Sequence, residues 1–127
     1  MSTYARCLFG VAAAANLLVA AAMSLGQRWF VTVLGLDPII GTSVVLVDLA
    51  AVLIAAFGYG YARIALDPVR YRPLIALGAW GKLAAVATVL VGALAIPHLW
   101  RLFALIGGDL VFAALFLHYL SRASADD

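Results

Sequence analysis

"VLVDLAAVLIAAFGYGYARIALDPVRYRP", from Val45 to Pro73, decides the fold. Its first half is apolar at every position but one, and it shows neither the polar alternation of a half-exposed strand nor the polar stripe of a surface helix. A run of that kind belongs in lipid. The exception is Asp48, a carboxylate whose neighbours are almost all hydrocarbon, so it has to be paired, protonated or in use. The residues place Asp48 without naming a substrate or a reaction for it.

Composition extends this reading to the whole chain. Of 127 residues, 67% are hydrophobic and 11% charged, whereas soluble domains are nearly half apolar and about a quarter charged. Four apolar runs, at about 7–25, 39–60, 74–96 and 99–120, occupy most of the sequence. Each is close to the roughly 20 residues that cross the hydrocarbon as a helix. Lipid offers the backbone no hydrogen-bond partner, so continuous apolar runs must be helical. The expected fold class is therefore an all-α integral membrane four-helix bundle, up-down-up-down, with residues 1–127 forming a single transmembrane domain. Asp37-Pro38 is expected to cap the second helix and Asp67-Pro68 to end it, Arg72-Pro73 to open the third, and Pro97 to turn the third into the fourth.

The opening "MSTYARCLFGVAAAANLLVAAAMS" (Met1 to Ser24) has the basic residue, apolar core and small residues of a secretory signal peptide. Asn16 in the middle of that run, and the segment that follows it, favour a retained first span instead. That segment, about 26–37 within "SLGQRWFVTVLGLDP" (Ser24 to Pro38), reads as an interfacial helix. Trp29, Phe30, Val33 and Leu34 would lie on the membrane, with Gln27 and Arg28 in water. Basic residues set the orientation. Arg6, Arg63, Arg70, Arg72 and Arg122 fall on one side and only Arg28 and Arg101 on the other, which puts both termini in the cytoplasm of a cell (inner) membrane. Tyr59, Tyr61 and Tyr71, with Arg63, then form a cytoplasmic rim, opposite Trp29 and Trp100.

Each span carries one strongly polar residue: Asn16, Asp48, Lys82 and Asp109. In an antiparallel hairpin, level residues are equidistant from the turn. Lys82 and Asp109 centre on Ala95 to Pro97, and Asn16 and Asp48 centre on Thr32. The four are thus expected at one depth, on faces rich in small residues: Ala5, Ala12, Ala13 and Ala20 beside Asn16; Gly41, Ala55 and Ala62 beside Asp48; Gly78, Ala79 and Ala85 beside Lys82. Gly107 and Gly108 lower the bulk before Asp109. An unpaired charge at mid-membrane costs about 2.5 to 3.5 kcal/mol on insertion scales, so Lys82 is expected to pair with Asp109. Asp48 is left without a cation, and the expectation is a protonated carboxyl hydrogen-bonded toward Asn16, or competition with Asp109 for Lys82. The four form the candidate ligand or proton site. An interhelical hydrogen bond accounts for Asn16, and the Lys82–Asp109 pair is read equally well as a device that fixes helix register.

Several functions lack the residues they need. There is no basic tract for nucleic acid, and Cys7 has no partner for a disulfide or a redox pair. His98 and His118 fall at opposite faces of the membrane, which excludes a metal site made from both. The chain has no glutamate, no serine placed with a histidine, no phosphate loop and no HExxH, so neither an enzymatic constellation nor a cofactor is expected.

"LDPVRYRPLIALGAWGKLAAVATVLVGA" (Leu66 to Ala93) followed by "GGDLVFAALFLHYL" (Gly107 to Leu120) resembles small uncharacterised four-span bacterial membrane proteins. In these a third helix with a Gly-Lys step precedes a fourth with Gly-Asp. The resemblance implies the architecture and the Lys82–Asp109 pair. In architecture the chain is also similar to DoxX-like and EXPERA-type proteins, some of which hold lipophilic ligands near paired acidic residues. Small multidrug-resistance transporters share the length and span count, but their first-helix glutamate is replaced here by alanines and Asn16, which argues against drug and proton antiport. Two classes of function remain. One is a binding or accessory protein that holds a lipophilic small molecule or a membrane partner, another copy included, without chemistry of its own. The other is a small proton-coupled transporter using Asp48 or Asp109. Unbroken helices favour the first.

Overall fold

The computed structural model describes residues 3–125. In chain order it contains α1 (Thr3–Leu25), α2 (Gln27–Leu34), α3 (Thr42–Leu66), α4 (Arg72–Ala95), a 3-10 turn at Pro97–Leu99 and α5 (Trp100–Ala125), with no strand among the described residues. The protein is all-α. Four stretches, Thr3–Leu25, Thr42–Leu66, Arg72–Ala95 and Pro97–Ala123, are long and apolar enough to cross a membrane. The chain divides into two compact units, Met1–Pro68 and Val69–Asp127. In the first, α1 packs against α3; in the second, α4 packs against α5.

Most of the expected breaks hold. Asp67 caps α3, its N–H reaching the Arg63 carbonyl at 3.1 Å. Proline occupies the first turn of α4, and Pro97 starts the 3-10 turn into α5. The start of the second span does not follow the expectation: Asp37-Pro38 lies in the loop before α3, and the N-cap position falls on Gly41. The helix begins at Thr42 behind Gly41, whose φ of 62° and ψ of −136° suit glycine alone. The same helix runs past the apolar span's edge near residue 60 to Leu66, the stop expected at Asp67-Pro68. Gly58 and Gly60 weaken a helix without ending it, and the chain first reaches a true breaker at Asp67-Pro68.

Between the two helices of the first unit, Gly26 bends the chain out of α1 with φ −114° and ψ 38°. The eight-residue α2 then closes on Gly35, in the left-handed region at φ 63°. The Gly35 and Leu36 N–H groups bond back to the Thr32 and Val31 carbonyls, the pairing typical of a glycine-terminated helix. Its faces correct the sequence reading. Phe30 is 7% exposed and turns inward, while Trp29 is 63% exposed. Successive residues lie about 100° apart on a helix, so Phe30, Leu34 and Gln27 share the covered side and Trp29 and Val33 flank it. Gln27 donates to the Met23 carbonyl at 3.3 Å instead of pointing into water.

The α1–α3 contact is built from small side chains. Ala5, Ala12, Ala13 and Ala20 are buried on α1, and Ala51 and Gly58 on α3. Gly58 marks a very close approach, since a Cβ there would sit 3.1 Å from both Asn16 Cβ and Leu17 Cγ. Beside it Asn16 Nδ2 donates to the Ile54 carbonyl at 3.1 Å. The missing side chain at Gly58 lets the Asn16 amide reach the α3 backbone. Tyr61, expected on the rim, is a core residue at 2% exposure, its ring 6.2 Å from that of Phe57.

Within the helices of the first unit, Gly58 should therefore be poorly replaceable. Gly58→Ala is expected to lower the unfolding midpoint in detergent and Gly58→Leu to cost about 1 to 3 kcal/mol through overpacking. Gly10→Ala, where a Cβ meets nothing within 4 Å, should leave the midpoint unchanged or higher. Equal behaviour of the two positions in a thermal or denaturant melt would contradict the close approach.

Candidate functional site

The second unit holds the better-defined polar pair. Lys82 lies near the middle of α4 and Asp109 two to three turns into α5, and the tight link through Pro97 brings them level. Lys82 Nζ is 2.5 Å from Asp109 Oδ1; the lysine side chain is 5% exposed and the aspartate 29%. The Phe112 ring, one turn beyond Asp109, meets the ammonium with its centroid 5.3 Å from Nζ. A carboxylate on one side and an aromatic face on the other let an ammonium stay in an apolar setting. On α4 the lysine keeps Ile75, Gly78, Ala79 and Val86 as buried companions, and Ala85 is half-buried. Gly107 and Gly108 behave differently from the small residues of α4. A Cβ on either would meet nothing within 4 Å, so the flank of Asp109 is open.

In the first unit the expected Asn16–Asp48 pairing is not formed. Asn16 bonds the Ile54 carbonyl, and Asp48 Oδ1 accepts from Ser24 Oγ at 3.1 Å. Both bonds centre on residues 35 and 36 rather than on Thr32. The link between α1 and α3 contains α2 and a loop of unequal effective length, so the halfway point of the numbering is not the turn. Asp48 lies six residues from Ile54, about 9 Å along α3 at 1.5 Å per residue. It is near the α2 end of the unit, not at the depth of Asn16. Asp48 is half-buried and flanks the buried face that Ala51 and Gly58 define, with Ala55 and Ala62 also half-buried beside that face.

The rim residues Tyr59 and Arg63 fall in the last two turns of α3, Tyr59 exposed and Arg63 half-buried. His98 and His118 sit at opposite ends of α5 and its leading turn, both exposed. Among the described residues no group of three or more His, Cys, Asp or Glu side chains is arranged to hold a metal ion. No buried side-chain nitrogen or oxygen among them lacks a partner. Sequence reasoning missed Ser24 and Phe112. Phe112 was legible, because three residues beyond Asp109 places it on the same helical face; Ser24, at the end of an alanine run, carried no such signal. Compared with known proteins, the chain matches no family model, no curated protein and no solved structure.

A coupled pair has a thermodynamic signature. Lys82→Met alone should destabilise the protein by leaving Asp109 without its counter-charge, and Asp109→Leu alone should strand Lys82. The double variant should lose less than the sum of the two, by about 1 to 3 kcal/mol. Additive losses in that cycle, measured by denaturant titration in micelles, would show that the two side chains do not interact.

Proposed function

We propose that this is a small integral membrane protein of binding or accessory type, without chemistry of its own, that holds a lipophilic ligand or a partner membrane protein against the Lys82–Asp109 pair. One observation carries the reading. Asp109 is 29% exposed although Lys82 engages it, and the adjoining Gly107 and Gly108 have no neighbour within 4 Å of a Cβ position. A partly bare carboxylate at mid-span is costly in hydrocarbon. An occupant with a hydrogen-bond donor and an apolar body would remove that cost, and the two glycines would let it approach. The same reading takes the protein to be a multi-pass protein of a bacterial inner (cell) membrane with both termini cytoplasmic, supported by five arginines near one set of span ends against two near the other.

Native mass spectrometry of the full chain, released from mild detergent, tests the binding reading. A bound lipophilic molecule or partner subunit should be retained by the natural protein and lost from the Lys82→Met/Asp109→Leu variant. Equal retention by both would rule the site out. Orientation is checked by reporter fusions after Arg28 and after Arg122, which should report opposite sides of the membrane.

A small proton-coupled carrier using Asp48 or Asp109 is the second reading. It is favoured by Asp48, whose carboxylate is met by the Ser24 hydroxyl. It requires solute uptake into proteoliposomes driven by a pH gradient and abolished in Asp48→Asn or Asp109→Asn, whereas the binding reading expects no gradient-driven uptake.

A further inference from the structure

The Ser24–Asp48 pair has features that the Lys82–Asp109 pair lacks, and all of them lie within the first unit. Ser24 is in the last turn of α1 and Asp48 is the seventh residue of α3, so the pair lies at the end of the unit where α2 begins. Its chemistry is one-sided: Ser24 Oγ donates to Asp48 Oδ1 at 3.1 Å, and the last turn of α1 contains no basic residue. Asp48 is half-buried and Ser24 exposed, so both can be reached. Around them the surface is apolar. Leu25, Val45 and Val52 are exposed, and Val45 and Val52 lie within about 60° of Asp48 on the α3 wheel. Four residues on from Ser24, past the bend at Gly26, Arg28 is exposed at the start of α2, next to the exposed indole of Trp29.

A carboxylate with a hydroxyl, an arginine four residues further along the chain and an apolar flank are complementary to a zwitterionic amphiphile. We propose that this end of the first unit binds the headgroup of an aminophospholipid. The primary ammonium sits on Asp48 and Ser24, the phosphate faces Arg28, and the acyl chains run along Val45 and Val52. An ammonium with three N–H donors can use both oxygens of Asp48, which a quaternary ammonium cannot. Arginine is suited to phosphate by its planar donors. The site therefore selects an ethanolamine headgroup over a choline headgroup.

The test uses the full chain in mild detergent, titrated with phosphatidylethanolamine, phosphatidylcholine, phosphatidylglycerol and dodecylamine and read by native mass spectrometry. The natural protein should prefer the ethanolamine lipid to the choline lipid by about tenfold, the size of one charge-assisted hydrogen bond. Asp48→Asn should erase that preference, and Ser24→Ala should reduce it. Arg28→Gln should weaken both zwitterionic lipids alike. Circular dichroism and melting of each variant report whether it folds; if Asp48→Asn does not, the ethanolamine-to-choline ratio in the natural protein and in Ser24→Ala decides alone. Equal affinity for the two zwitterionic lipids, or a preference that survives in folded Asp48→Asn, overturns the proposal. Tight binding of dodecylamine with no lipid preference also overturns it and assigns the ammonium to a free amine.

Discussion

An ammonium near the middle of a membrane-crossing helix has to be answered where it stands, because no water and no mobile ion is at hand to do it. Lys82 meets Asp109 across the α4–α5 interface and the Phe112 ring one turn further along. Much else in the second unit follows from that demand. The link between the helices has to be short enough to keep the two residues level, and the lysine shares its buried face of α4 with the small residues Gly78 and Ala79. The aromatic face adds a favourable contact for the cation without adding a second charge.

The first unit meets a gentler version of the same problem by a different route. Asn16 is neutral, and it reaches a backbone carbonyl rather than another side chain. That solution requires the helices to touch, and they do so at Gly58. Small residues and a polar clasp thus replace the ion pair, as expected where helix association in lipid rests on close packing and hydrogen bonds. Asp48, in contrast, takes no part in the close contact and stands beside it.

How much of this could be read from the residues differs between the two units for a definable reason. The four spans, the stops at Asp67-Pro68 and Pro97 and the Lys82–Asp109 pair were legible, since apolar length and proline chemistry are local and the α4–α5 link is nearly symmetric about Ile96. Counting outward from a turn works only when the turn is all that separates two helices. Between α1 and α3 there is an additional helix, a bend at Gly26 and a loop closed by glycines at positive φ, and these moved Asp48 from Asn16 to Ser24. Tyr61 and Phe30 went astray for a related reason: amphipathic aromatic rings suit both an interface and a core, and only the rotation of each helix, set by packing, decides between them.

The separation into Met1–Pro68 and Val69–Asp127 bears on how such a chain enters a membrane. Helices are delivered in order, and a charged one is hard to release into lipid until its counter-charge arrives. Here the wait is confined to a single hairpin: Lys82 precedes Asp109 by 27 residues, about one span and its turn, and the earlier polar groups already have partners among the helices that came before. The ammonium and its counter-charge thus arrive as neighbours in one hairpin, and the second unit can close on its ion pair as soon as its last helix is delivered.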